Sequence, residues 1–102
     1  MDARLGRNAV DLAGTLVERG ALRHSPAGVP VVEFRLNHAS EQEEAGSARR
    51  VECELACLAM GPAALLMAGA KPGEAMAVGG FLAAKSLKNR NAVLHVNKIE
   101  FL

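Results

Sequence analysis

Tryptophan and tyrosine are absent from these 102 residues, and the aromatic supply is Phe34, Phe81 and Phe101 alone. That shortage removes the surface aromatics by which cold-shock-type RNA binders stack bases. No long apolar run occurs either. Arg4, Arg7 and Asp11 interrupt the first twenty residues, which excludes a signal peptide or a transmembrane span there and points to the cytoplasm. Neither charge sign is in excess: 12 Lys and Arg stand against 11 Asp and Glu, a net charge of +1, so any electrostatic signal must be local. Enzyme signatures are missing as well. The chain has no phosphate-binding loop, no G-x-G-x-x-G, no G-x-S-x-G and no metal-spaced histidine cluster. His24, His38 and His95 lie on different segments without a recognisable nucleophile, and Ser25 before Pro26 reads as a turn residue. We expect no catalysis, no cofactor and no metal.

Cysteine is scarce, with Cys53 and Cys57 spaced as C-x3-C. Four residues of strand span about 13 Å. A disulfide needs Cα atoms within about 7 Å, and a shared zinc needs both sulfurs at about 2.3 Å. Two buried thiols in a reducing compartment are the expectation.

Apolar residues make up 50% of the chain, enough for one core in one domain over residues 1–102. Residues 31–38, VVEFRLNH, set Val32, Phe34 and Leu36 against Glu33, Arg35 and Asn37, the period-two mark of a half-buried strand. RRVECELACL, 49–58, repeats it with Val51, Cys53, Leu55 and Cys57 inward. NAVDLAGTLVER, 8–19, alternates less cleanly, and Gly14 suggests a sharp bend. LRHSPAGVP, 22–30, supplies a turn. SEQEEAGSA, 40–48, reads as a polar, mobile connection whose carboxylates are simply solvated.

GPAALLMAGA, 61–70, predicts one short helix opened by Pro62. EAMAVGGFLAA, 74–84, and AVLHVNKIEFL, 92–102, predict two more strands, the last with a bulge near Asn97 that would turn Leu94, Val96, Ile99 and Phe101 all inward. Three strands, a helix and two strands leave no room for several βαβ crossovers. The order fits an all-β protein, a five-stranded OB-fold barrel with one short helix between strands three and four. An open β-sandwich, the main rival, normally needs more strands.

Between the last two strands lies KSLKNRN, 85–91, three cations without an acid. From Lys71 onward five cations face two anions, a local +3, while the rest of the chain carries about −2. In an OB-fold this is one of the loops that bind oligonucleotides. Lysines at a hairpin tip also serve solubility and block edge pairing, so charge alone leaves both readings open.

SPAGVPVVEFRLNHASEQEEAG (25–46), GGFLA (79–83), the basic turn and VLHVNKIE (93–100) together resemble primosomal replication protein N, the PriB family of bacterial replication-restart factors. The resemblance runs from about Asn8 to the end. It implies a homodimeric, non-catalytic OB-fold protein that binds single-stranded DNA and works with the PriA helicase and other primosome proteins. Carried over residue by residue, DNA contact falls to Lys85, Lys88 and, by proximity, Arg90, with Arg23 before the Ser-Pro turn. Arg35 joins them by its outward strand phase. Where some relatives place aromatics that stack on bases, this chain has Ser47 and Glu52. With all three phenylalanines assigned inward, binding should rest mainly on phosphate contacts. The alternative is a protein-interaction module of the primosome whose DNA binding is weak or vestigial.

Overall fold

The structure, a computed structural model, describes residues 5–102; Arg4 lies outside them. Strand β1 (Val10–Arg19) is followed by a two-residue strand β2 (Arg23–His24), the long hairpin β3 (Pro30–Glu44) and β4 (Ser47–Met60), helix α1 (Pro62–Met67), and the hairpin β5 (Ala75–Ala84) and β6 (Ala92–Phe101). Hydrogen-bonded neighbours run β1-β5-β6-β4-β3-β2, and β1 pairs a second time with β3. The sheet therefore closes through β1, and its five principal strands form the expected OB barrel. The β4–β6 pairing is parallel and brief, Cys57↔Leu94 to Ala59↔Val96.

Closure depends on β1 serving two partners. Its first half pairs with β5 as far as Thr15↔Ala75, and its second half pairs with β3 from Thr15↔Asn37. The irregularity of β1 itself lies between Leu16 and Glu18, not at Gly14 as expected. The changeover of partners falls beside Gly14, where an added Cβ would sit 2.9 Å from the Asn37 carbonyl oxygen. A side chain there would hold β1 off β3, which is why the position carries none.

The core is formed by the inward phase of each strand. Leu16, Val32, Phe34, Leu36, Cys57, Ala59, Met76, Val78, Leu94 and Val96 are buried, and α1 adds Ala63, Ala64 and Met67 to the same cluster. Burial of each large side chain contributes about 1.5–3 kcal/mol. Pro62 stands in the first turn of α1, where its missing N–H has no intrahelical partner to lose.

Residues 40–48 do not form a mobile connection. The β3–β4 register runs unbroken from Val31↔Met60 to Glu44↔Ser47, leaving a two-residue turn. Ala45 (φ 52°) and Gly46 (φ 80°) both take positive φ there, the requirement of a tight hairpin turn that matches strand twist. Arg49 bonds Glu44 at 2.8 Å across it, so one of the three acids is paired rather than merely solvated. At the ribbon's base, His38 Nδ1 donates to the Ala13 carbonyl (2.6 Å), and Nε2 accepts from the Ser40 hydroxyl (2.7 Å). The ribbon outruns the barrel, so Cys53, opposite His38, is exposed while Cys57 is buried. The pair of buried thiols expected from alternation is thus corrected to one.

Between β5 and β6 the register shifts: Gly79 pairs with Lys98 and Gly80 with Val96, leaving Asn97 as the bulged residue. The expected bulge is present, but its effect on Phe101 is not the expected one. Ile99 packs against the core, whereas Phe101, beyond the barrel's end, is exposed. Gly80 lies in phase with buried Met76 and Val78, so Phe81 faces outward, 40% exposed. Asn8 then fixes β5 one residue on: its Nδ2 donates to the Leu82 carbonyl (2.7 Å), and the Leu82 N–H donates to its Oδ1 (2.9 Å).

A Cβ at Gly80 would collide with the His95 carbonyl group of β6. Gly80→Ala must therefore spread the hairpin or unseat the bulge. The expected destabilisation is about 1–3 kcal/mol, read as a lower urea midpoint; a midpoint equal to wild type would contradict the close approach of the two strands.

Candidate nucleic-acid interface

The hairpin tip 85–91 is folded back on itself. The Lys85 N–H donates to the Asn91 carbonyl (2.9 Å) and the Ser86 N–H to the Asn89 carbonyl (3.0 Å). The Ser86 hydroxyl accepts from the Asn89 N–H (2.9 Å), and Asn89 Oδ1 accepts from the Asn91 N–H (3.0 Å). These bonds satisfy the turn's own backbone groups and leave its cationic side chains outside. Lys85, Lys88 and Arg90 are exposed and have no ion-pair partner among the described residues. Leu87 projects from the tip, almost fully exposed.

Beside the base of this loop runs a groove of about 480 Å³, bordered by the end of β1, the outward faces of β3 and β4, and the start of the β5–β6 turn. Ala56, Leu58, Val93 and His95 supply much of its apolar floor, and Arg19, Arg35 and Lys85 stand among its borders with Glu18 and Glu33. Lys85 and Arg35 thus meet on one groove. Lys88 and Arg90 lie further along the loop, outside it. Arg23 also stands outside and reaches the rim only through Glu33, at 3.4 Å.

The two strand arginines differ from the loop cations because each has a carboxylate. Arg35 Nε donates to Glu54 Oε1 at 2.8 Å, and this bond holds the guanidinium above its ordinary pKa. Exposed pairs of this kind are weak and screened by solvent, so a phosphate can compete with the carboxylate. Arg19, which the sequence reading missed, has a positioning role: its Nε donates to the Ala70 carbonyl at 2.8 Å, tying the end of β1 to the segment after α1. Nothing in its local sequence separates it from any arginine at a strand end.

More consequential is the aromatic content of the surface. Phe81 and His95 lie opposite each other on β5 and β6, face outward, and stack with ring centroids 5.2 Å apart and planes 17° from parallel. Phe34 alone of the three phenylalanines is buried. The assignment of all three inward is corrected, for Phe81 because the Gly79–Gly80 pair keeps strict alternation from Met76. Simple counting from Val78 would have found it. Ser47 and Glu52 lie on the β3–β4 ribbon, both exposed.

A closed five-stranded barrel with a groove across β3 and β4, flanked by a basic hairpin, defines an OB-fold binding domain. Residues 8–98 match the family described as "Another single-strand binding protein family". The replication restart protein PriB of Bordetella pertussis is 42% identical over 91 residues, which is 89% of this chain and 85% of that protein. The solved structure of PriB from Ralstonia solanacearum superposes with a TM-score of 0.85 at 35% identity, over 94% of this chain and 99% of that one. The single-stranded DNA binding protein of Thermus aquaticus shares the fold, with a TM-score of 0.74 at 23% identity over 94% of this chain and 50% of that chain. The chain belongs to the PriB family of replication restart proteins.

The two thiols provide a check on this surface. Burial pushes the Cys57 thiol from 9.0 up to about 12, opposed only by the nearby Arg35 charge. The folded chain therefore holds that proton after the unfolded chain has lost it. The resulting stabilisation is complete below about pH 9 and falls as pH rises toward about 12. Urea midpoints of the wild type should decline over this window more steeply than those of Cys57→Ala. A thiol reagent near neutral pH should modify Cys53 alone in the folded protein and Cys57 only after unfolding. Equal modification of both in the native state would contradict the burial of Cys57.

Proposed function

We propose that this protein is a non-catalytic accessory factor of the replication-restart primosome that binds single-stranded DNA mainly through phosphate contacts, and that it acts as a homodimer, one OB-fold domain per chain, in support of the PriA helicase. One observation carries this reading: the three cations of the β5–β6 turn are exposed, without carboxylate partners among the described residues, and held beside the groove by an ordered turn. Lys85, Lys88 and Arg90 make the principal phosphate contacts. Arg35 adds one from the groove wall by exchanging Glu54 for phosphate, and Arg23 is peripheral because Glu33 occupies it.

About four phosphates neutralised, at a slope of about −0.7 each, predict a roughly fifty-fold loss of affinity for oligo(dT) between about 50 and about 200 mM salt. Replacing Lys85, Lys88 and Arg90 together with Ala should remove most of that slope. Salt-insensitive binding, or an unchanged slope in the triple variant, contradicts the reading. The ion pairs of Arg23 and Arg35 favour a second reading, a protein-interaction module with weak DNA binding. Under it the triple variant stimulates helicase as fully as the wild type; under the first, stimulation falls with DNA affinity.

A further inference from the structure

A second hollow, about 130 Å³, adjoins the groove and shares Leu58 and His95 with it; Met60, Phe81, Val96 and Asn97 complete its walls. Its exposed surface is mainly apolar, and Met60 and Phe81 are each more than one-third exposed. Apolar cavities of about 150 Å³ accept a benzene ring, so the hollow suits one planar ring laid on Phe81. Burial of such a ring is favoured because the Phe81 and His95 rings that wall the hollow already brace each other at 5.2 Å, and the backbone beneath is fixed by the Asn97 bulge and the Asn8 clasp on Leu82. Little order remains to be gained on binding. Lys85, the first residue beyond β5, follows Phe81 by four positions, about 13 Å along an extended backbone. The apolar hollow thus opens along the same track as the cation-bordered groove, which selects a ligand that is anionic along its length and aromatic at intervals.

We propose that the Phe81–His95 pair is a base-stacking platform for single-stranded DNA, distinct from the phosphate-holding loop and independent of positions 47 and 52. Phe81 and His95 together supply the aromatic wall against which a base packs, and Leu58 and Met60 border the opposite side of the hollow. The inference rests on the single-strand-binding reading above and adds to it a second kind of contact, tolerant of base identity because every base has a π-face.

The test compares oligo(dT) with an abasic phosphodiester chain of equal length, by anisotropy at low salt. Wild type should bind oligo(dT) roughly fivefold tighter or more. Phe81→Leu, which keeps apolar bulk without the ring, should bring oligo(dT) down toward the abasic value while leaving abasic affinity and salt slope unchanged. Should that variant fold poorly, a single 2-aminopurine in an otherwise abasic chain has no neighbouring base to stack on. Its emission should fall on binding wild type, and a chain without Trp or Tyr contributes no competing fluorescence. Equal wild-type affinity for both ligands, an undiminished preference in Phe81→Leu, or unquenched 2-aminopurine overturns the platform while leaving phosphate binding standing. Binding of neither ligand overturns the single-strand-binding reading itself. A lower solution mass for Phe81→Leu with its preference for oligo(dT) intact assigns the face to self-association instead, and also overturns the platform.

Discussion

The arrangement of this surface depends on one close approach, that of Gly80 to the backbone of β6 at His95. Because no Cβ fits there, the two strands can cross tightly enough for Asn97 to bulge and for Gly80 to pair with Val96. From that register follow the inward run of Met76 and Val78 against Leu94 and Val96, and the outward juxtaposition of Phe81 with His95. The orientation of the 85–91 turn follows from it too. A bulge intensifies local twist, so the same residue that completes the core wall also bears on how the basic turn leaves the barrel beside the groove. Core packing and ligand surface are two sides of one hairpin.

β1 supplies the matching constraint on the opposite wall. By pairing with β5 and then, from Thr15 on, with β3, it removes two sheet edges that would otherwise invite aggregation. The groove floor then rests on strands buried from behind, Phe34 and Cys57 among them, while the cations sit on a turn. Rigid strands hold shape and a loop carries charge, the common division of labour in binding folds.

Much of this was legible in the sequence. Period-two alternation placed Val32, Phe34 and Leu36 correctly, and the mismatch between Leu94/Val96 and Ile99/Phe101 located the bulge. Two features were not legible, for separate physical reasons, and a third was legible but misassigned. The β3–β4 ribbon was hidden because its strands are polar on both faces and its turn uses Ala45 at positive φ, where Asn or Gly is the usual signal. Cys53 has the right phase but lies beyond the barrel, and phase alone does not say where a core ends. Phe81 was placed inward by strand phase, whereas counting from Val78 along its own strand turns it outward. An apolar residue on an exposed face is the kind of local inconsistency that functional surfaces produce.

The electrostatics explain how a chain of net charge +1 can present a cationic site. Arg23, Arg35, Arg49 and Arg50 each lie within 4 Å of a carboxylate, so their fields largely cancel, whereas the loop cations have no carboxylate partner among the described residues. The potential of those cations decays over about 8 Å at physiological ionic strength, whereas Phe81 stands about 13 Å from Lys85 along an extended backbone. On the readings proposed above, salt would weaken the loop's hold on phosphate more than the stacking contact. On those readings the balance of contacts would pass from the turn to the strand face as ionic strength rises, so that single-stranded DNA would be held increasingly by its bases.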